Sequence, residues 1–259
     1  MKDMNIISHL QEKYANLTKN KTEYKLGRKY TNHFIKLFRI YEKRNLKGLK
    51  ILDVGCFNGS FLEPLVNDNE CYGVDISEEG LDIAKKKGIK VFKVDLEKGS
   101  LPFPNNFFDI VVSTHTLEHI FNTDHVLREI WRVLKPKGVF YVVVPNTNTI
   151  IGNLFKIIFD LPFYNEARYK SLHVRNFTLT LLEIALILNG FKIIRSGRID
   201  RSLWMARLSI YAYTHKQDKV ATEIGDIVDD LLTLCDITGK RKILLSITKI
   251  IRRIKDLFF

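Results

Sequence analysis

Cysteine is scarce in this sequence, and long uncharged apolar runs are missing. Its three cysteines, Cys56, Cys71 and Cys235, stand far apart in 259 residues. That spacing excludes a disulfide framework or a zinc cluster and fits a reducing compartment. The first twenty residues are polar, with nothing resembling the apolar segment of a signal peptide. No uncharged stretch reaches the ~18 residues a membrane-spanning helix needs. The expectation is a cytoplasmic protein. Positive charge is missing from the middle of the chain. The net charge is +12, but residues 1–50 carry +9 and residues 240–259 carry +6, leaving −3 for residues 51–239. A basic groove through the core, as a nucleic-acid enzyme would need, is not indicated. The basic ends suit an anionic membrane or polymer instead. With 46% apolar and 27% charged residues, the chain has a globular composition and can bury one sizeable core with a small appendage.

What is present is organised around Lys50-Ile51-Leu52-Asp53-Val54-Gly55-Cys56-Phe57-Asn58-Gly59-Ser60-Phe61. Ile51 to Val54 reads as a buried strand. A turn with two glycines follows, then a helical pattern with Phe61, Leu62, Leu65 and Val66 on one face. Strand, glycine turn and helix begin a nucleotide-binding α/β unit. Gly55 and Gly59 would let the backbone pass close to a ligand. Asp53 adds a charge at the strand's carboxyl end, where open α/β sheets hold ligands.

The rest of the chain repeats this rhythm. Residues 1–29 read as a polar lead-in. Phe34, Ile35, Leu37, Phe38, Ile40 and Tyr41 then suggest a helix that caps the sheet, or else a substrate lid. Glu70 to Ile76 is a second strand ending in Asp75, about twenty residues past the glycine turn, where a carboxylate accepts from ribose hydroxyls. Ser77 caps a helix that Gly88 stops. A third strand, Ile89 to Val94, precedes Asp95. A fourth spans Phe107 to Ser113, and a helix spans Asp124 to Leu134. Lys135 to Gly138 reads as a turn, and Val139 to Val144 as a fifth strand. Such alternation means a doubly wound parallel sheet. Phe191 to Arg195 is a sixth strand and Trp204 to Tyr213 a seventh, with Arg195, Arg198 and Arg201 in the loop between them.

In this order the motifs resemble a class I S-adenosylmethionine-dependent methyltransferase of the type 11/12 group, over residues 49 to 195. The carrying motifs are Leu52-Asp53-Val54-Gly55-Cys56-Phe57-Asn58-Gly59, Gly73-Val74-Asp75-Ile76-Ser77, Val94-Asp95-Leu96 and Leu101-Pro102-Phe103. Phe108-Asp109-Ile110-Val111, Leu117-Glu118-His119, Arg132 to Gly138 and Val144-Pro145-Asn146 complete the set. Phe57 stands where the family most often has a third glycine, and Lys137 where a Pro-Gly-Gly turn is usual. A dehydrogenase-type turn is disfavoured, since Gly-x-Gly-x-x-Gly is absent and Asp95 has no role in one. The resemblance implies a Rossmann-like, doubly wound seven-stranded sheet of order 3-2-1-4-5-7-6 with strand seven antiparallel. It implies S-adenosyl-L-methionine as cofactor. Asp53, Gly55, Cys56 and Gly59 would wrap its methionine part, Asp75 and Ile76 its ribose and adenine, and Asp95 and Leu96 the adenine. Thr114 would lie beside the methionine end.

Methyl transfer from a sulfonium needs mainly alignment, and a base only where the acceptor must lose a proton. The catalytic candidates are His173, His115 and His119. His115-Thr116-Leu117-Glu118-His119 alone would be a zinc-peptidase signature, but it falls where the resembling group has its own Glu-His pair. Some related quinone O-methyltransferases hold a divalent ion near that pair, with an acid at the position of His115. No metal is expected here, and Glu118 and His119 read as a brace under the cofactor. His173 lies in Ser171 to Thr178, which resembles the group's entry into the next helix. It is the first candidate for a base or acceptor contact.

The apolar segment from Ile150 to Phe163 suits either an acceptor lid or a core helix. Residues 220–236 and 240–258 read as two helices, the second basic and amphipathic, fitting either a membrane interface or a protein partner. The expected organisation is an N-terminal helical cap at 1–48, a methyltransferase domain at 49–216, and C-terminal helices at 217–259. The expected function is O-methylation of a small-molecule or lipid- or glycan-linked acceptor, with no nucleic-acid partner and peripheral membrane contact through 240–259. The nucleic-acid alternative lacks the Asn/Asp-Pro-Pro motif after strand four. The other alternative is a non-catalytic, membrane-associated cofactor-binding partner protein, which the acids at 53, 75 and 95 argue against.

Overall fold

The computed structural model describes residues 21–146, 173–175, 177–199 and 209–217. The apolar segment 147–172, Arg201 and the two C-terminal helices lie outside these residues. Helix α1 (Lys21–Glu42) leads into strand β1 (Lys50–Val54), then β2 (Glu70–Asp75), α2 (Glu78–Lys86), β3 (Lys90–Lys93) and β4 (Phe108–Thr114). Helix α3 (Thr123–Val133), β5 (Leu134–Pro145), α4 (Leu179–Leu188), β6 (Phe191–Arg198) and β7 (Ser209–Lys216) follow. The seven strands form one sheet of order β3-β2-β1-β4-β5-β7-β6. Strands β1 to β5 pair in parallel, and β7 runs antiparallel to both β5 and β6. This is the expected topology. Because β1 to β5 run parallel, their carboxyl ends share one edge, and the reversal of order between β1 and β4 marks the crevice there in which such sheets bind ligands.

Alternation along the strands supplies two cores. Leu52, Val54, Val111, Phe140 and Val142 face one side with Leu127, Ile130, Leu182 and Leu186. Ile51, Ile110, Val112, Tyr141 and Tyr213 face the other with Tyr30, Phe34, Leu37 and Phe38 of α1. Helix α1 is thus a packing helix that covers the sheet. Thr31 fastens it further: its Oγ1 lies 2.9 Å from the Gly27 carbonyl oxygen and 2.7 Å from that of Phe61.

Four local expectations need correction. The helix expected after β1 is a series of turns with a single 3-10 turn at Glu63–Leu65. Pro64 has no N–H to continue a ladder, and the chain must reach β2 by Glu70. Phe61, Leu62 and Leu65 are buried as the pattern required. The turn expected at Lys135–Gly138 is an irregularity within β5: Phe108 pairs with Leu134, and pairing resumes at Ile110 with Val139. The extra residues are accommodated as in a bulge. Arg195 and Arg198 lie on β6 rather than in a loop, because β6 continues to pair with β7 up to Arg198. Strand seven is described from Ser209 to Lys216, so it reaches beyond Tyr213. Among the described residues, no helix is long and apolar enough to cross a membrane.

Candidate active site

The residues expected to hold the cofactor lie at and beyond the ends of β1, β2 and β3. Asp53 is 1% exposed and its Oδ1 has no hydrogen-bond partner. Burial, reinforced by the neighbouring Asp75, pushes its carboxyl up to about 8. A buried acid next to another acid is costly unless a cation arrives. Asp75 is better supplied. Its Oδ2 accepts from the Phe57 N–H and its Oδ1 from the Ser77 N–H, both at 2.8 Å. Burial still raises its pKa, against the lowering pull of the Ser77, Phe57 and Ile76 amides.

The glycine turn is shaped by protein neighbours. Gly55 has φ 81°, and a Cβ there would collide with the Thr116 side chain. A Cβ on Gly59 (φ 70°) would collide with Ile89 and approach Ala84. Gly59 thus leaves room for α2 and for Ile89, just before β3. Cys56 is buried, and its sulfur lies under Gly73. Its side chain packs, while its N–H donates to the Val74 carbonyl at 3.0 Å and its carbonyl accepts from the Gly59 N–H at 2.8 Å. Phe57, in place of the third glycine, takes a left-handed φ of 42°. Its ring rests where Gly80 lacks a side chain.

Asp95 lies two residues past the end of β3. Its Oδ1 accepts from the Glu97 N–H at 3.0 Å, and Lys98 Nζ stands 3.7 Å from its Oδ2. Val94 donates its N–H to the Asp75 carbonyl at 2.9 Å, joining the two acidic segments. Ile76 is half-buried. Leu96 belongs to the core.

The other half is assembled around Glu118. Thr114 ends β4, and His115 follows with a left-handed φ of 56°. Such a backbone costs about 1–2 kcal/mol outside glycine. It persists here because the His115 N–H is held by the Val143 carbonyl at 2.8 Å. The turn brings His115 Nδ1 to 3.2 Å from Glu118 Oε1. Its Nε2 lies 2.8 Å from the Tyr30 hydroxyl and 3.4 Å from Ser209 Oγ.

Glu118 is 1% exposed, and its Oε2 has no hydrogen-bond partner. Burial alone would raise its pKa. The hydrogen bond from His115 and the fields of His115 and His119 outweigh it, so the carboxyl is lowered. His173 packs edge-on to His119, with ring centroids 4.9 Å apart. The chain is clipped there, because the Val174 and Arg175 N–H groups both donate to the Glu118 carbonyl, at 2.8 and 3.0 Å.

All three histidines singled out in the sequence thus gather around Glu118, which the sequence reading favoured as a brace. Glu118, His119 and His173 each offer a donor atom, all within 4.8 Å of one another. That mixed nitrogen and oxygen set could hold a divalent ion, where the sequence expectation was no metal. Tyr30 and Ser209 carried no signal. They come from α1 and β7, far from the motif in sequence.

A seven-stranded sheet of this order is the topology that the resemblance to class I S-adenosylmethionine-dependent methyltransferases implies. Residues 52–142 match the family model described as a methyltransferase domain. This segment carries that family's domain, and its motifs are those of the class I, type 11/12 group.

The ubiquinone biosynthesis O-methyltransferase of Pelagibacter ubique is 28% identical over 131 residues, 49% of this chain and 54% of that protein. A demethylmenaquinone methyltransferase of Listeria monocytogenes is 31% identical over 149 residues, 54% and 60% of the two chains. Among solved structures, a possible histamine N-methyltransferase of Thermotoga maritima superposes with a TM-score of 0.59 at 18% identity, covering 82% of this chain and all of that one. The chain spans roughly half to three-fifths of the length of the curated relatives it matches.

The residues at the β1–β3 edge fit the cofactor of this class. The orphaned Asp53 oxygen and the raised carboxyl of Asp53 call for a cation. S-adenosylmethionine carries an ammonium and a sulfonium at its methionine end.

Proposed function

We propose that this protein is a methyltransferase that moves a methyl group from S-adenosylmethionine to a hydroxyl on a small, ring-bearing acceptor. The observation that carries this reading is the Glu118–His115 pair, standing one residue past Thr114 at the ligand-binding edge. Two of the similar proteins are named for quinone-type biosynthesis, one of them as an O-methyltransferase, which supports a hydroxyl on a ring as acceptor.

Bound cofactor supplies an electrophilic methyl on sulfur, so the protein's task is mostly alignment. Asp53 would take the ammonium of the methionine part. Asp75 would accept from the ribose hydroxyls. Each of its oxygens already accepts one backbone N–H and keeps a second lone pair for a ligand. Ile76 would lie against the adenine, and Asp95 would accept from its amino group.

His115 acts as the base. Glu118 orients the ring through Nδ1 and stabilises the imidazolium that forms when Nε2 takes the acceptor's proton. His119 stands behind Glu118 and adds to the field that keeps its carboxyl low, and His173 packs edge-on against His119. The domain would extend over residues 49–216, with α1 as its cap.

The test is transfer of labelled methyl from S-adenosylmethionine to a panel of catechols and hydroquinones. General-base catalysis contributes about 10²-fold or more. His115→Gln should therefore lower turnover about 100-fold while leaving affinity for S-adenosylhomocysteine unchanged. Full activity in that variant would remove His115 from the role.

A further inference from the structure

Helix α4 (Leu179–Leu188) lacks the polar outer face that a surface helix carries. Its polar residues are Thr180 and Glu183. Glu183 is turned inward: it is 3% exposed, and its Oε1 accepts from Ser196 Oγ at 2.6 Å. What α4 shows to solvent is a stripe of Leu181, Ile184 and Leu188. Leu181 is 52% and Leu188 45% exposed, and Ile184 is half-buried. A helix apolar on every side belongs in an interior, yet the described residues leave this face open.

The last described residue stands at the foot of the same helix. Gln217, just past β7, donates its N–H to the Gly190 carbonyl at 3.0 Å. Gly190 follows Asn189, the C-cap of α4, so Leu188 is two residues away. Ile224 comes seven residues after Gln217, and seven extended residues reach about 20 Å. Residues 218–236 hold six acids against one base, Lys219. An anionic membrane would repel such a segment. Its apolar residues Ile224, Val228 and Leu231 recur at spacings of 4 and 3. The stripe on α4 has the same spacings when read backwards, from Leu188 to Ile184 to Leu181. At 1.5 Å per residue both stripes are about 10 Å long. Segment 147–172, by contrast, joins the chain at the other end of α4, where Asn146 pairs with Phe177 just ahead of the N-cap Thr178.

We propose that the outward face of α4 is a docking surface for this chain's own acidic segment 220–236. The segment lies antiparallel along α4 as a helix, with Ile224 against Leu188, Val228 against Ile184 and Leu231 against Leu181. Its acids then face solvent and supply the polar surface that α4 lacks. The tether favours this occupant over a second copy, because a short linker gives an effective concentration of about millimolar. This cover carries the folded unit past residue 216.

The test is disulfide formation in the full chain. Cys235→Ser removes the native thiol on the segment, and Cys56 and Cys71 are buried. Ile184→Cys is combined with Ile227→Cys or Val228→Cys on the apolar side, or with Asp226→Cys on the opposite side. Side chains pointing apart cannot be bridged, so under mild oxidation one of the first two pairs should close within the chain about tenfold faster than the third. Equal rates for all three, or closure of none, would overturn the proposal. A disulfide formed only between chains would assign the face to a second copy and overturn it too. Leu188→Asp gives a second measurement without new thiols. It should lower the urea midpoint of the full chain, whereas a charge on an open surface position leaves the midpoint nearly unchanged. An unchanged midpoint would therefore count against the cover. Anionic vesicles complete the test: if a polarity-sensitive dye on Ile184→Cys shifts to the blue only when they are added, a membrane covers the face and the segment does not.

Discussion

Asp53 and Glu118 stand at the same edge of the sheet, equally buried, each with one oxygen that has no hydrogen-bond partner among the described residues. Their carboxyls move in opposite directions. Asp53 is pushed up to about 8 by burial and by Asp75. Glu118 is lowered although burial opposes it, because His115 donates to it and His119 adds its field. Burial alone does not decide the charge of an acid; what decides it is whether the fold itself supplies a donor or an opposing field. Glu118 has its donor built in and serves an internal network. Asp53 is raised by burial and by Asp75 with no lowering contact, and a ligand's cation would relieve it.

The largest expected effect breaks the two apart. Removing one side of a buried charge pair costs about 2–5 kcal/mol. Asp53→Asn should therefore weaken S-adenosylhomocysteine binding about 100-fold by calorimetry. It should not lower the melting temperature of the ligand-free protein, since it relieves a buried acid set against Asp75. Glu118→Gln should do the reverse. Affinity for S-adenosylhomocysteine should stay within about twofold, while denaturant unfolding shows a loss of about 2–3 kcal/mol from an interrupted buried network. If both variants lose affinity and both keep stability, the contrast between the acids is wrong.

Acidity sharpens the same contrast. The Asp53 carboxyl is raised in the folded protein, so the folded state holds that proton more tightly than the unfolded state. Its contribution is full below about pH 4 and is lost as pH rises towards about 8. The Glu118 carboxyl is lowered, so its contribution is present above its unfolded pKa, near 4.5, and is lost on acidification. From pH 6 to 7 the ligand-free wild type should therefore lose about 1 kcal/mol relative to Asp53→Asn, measured by unfolding at both values. A parallel pair of curves would show that Asp53 is already ionised.

The smallest effect concerns backbone. Lys137 holds a left-handed φ of 59° in the irregular part of β5. Lys137→Gly should stabilise the protein by a few tenths to about 1 kcal/mol, since glycine avoids that strain at some cost in unfolded-chain entropy. A destabilised variant would mean that the lysine side chain contributes more than its backbone costs.

Much of this was legible in sequence, and the limits have physical causes. Asp53, Asp75 and the strand order were readable because strand, turn and acid are neighbours along the chain. Phe57 and Lys137 stood out as missing glycines, and the structure supplies the reason: both positions have positive φ. The compensating residue for Phe57, Gly80, was not legible, because its role depends on where α2 lands. The helix expected after β1 failed at Pro64, where apolar spacing was right and the hydrogen-bond ladder was not available. The importance of Glu118 was partly visible in the three-residue spacing from His115. The convergence of His173, Tyr30 and Ser209 on that cluster is a product of tertiary packing and leaves no local mark.

The central claim is that Asp53 waits for the cofactor's cation. Calorimetric affinity for S-adenosylhomocysteine between pH 5 and 8, in wild type and in Asp53→Asn, tests it most directly. Wild-type affinity should rise with pH, approaching tenfold per unit well below about 8, as the carboxyl gives up its proton to receive the ammonium. The variant should bind weakly and without that slope. Equal affinities with the same flat profile would contradict the assignment of Asp53 to the cofactor.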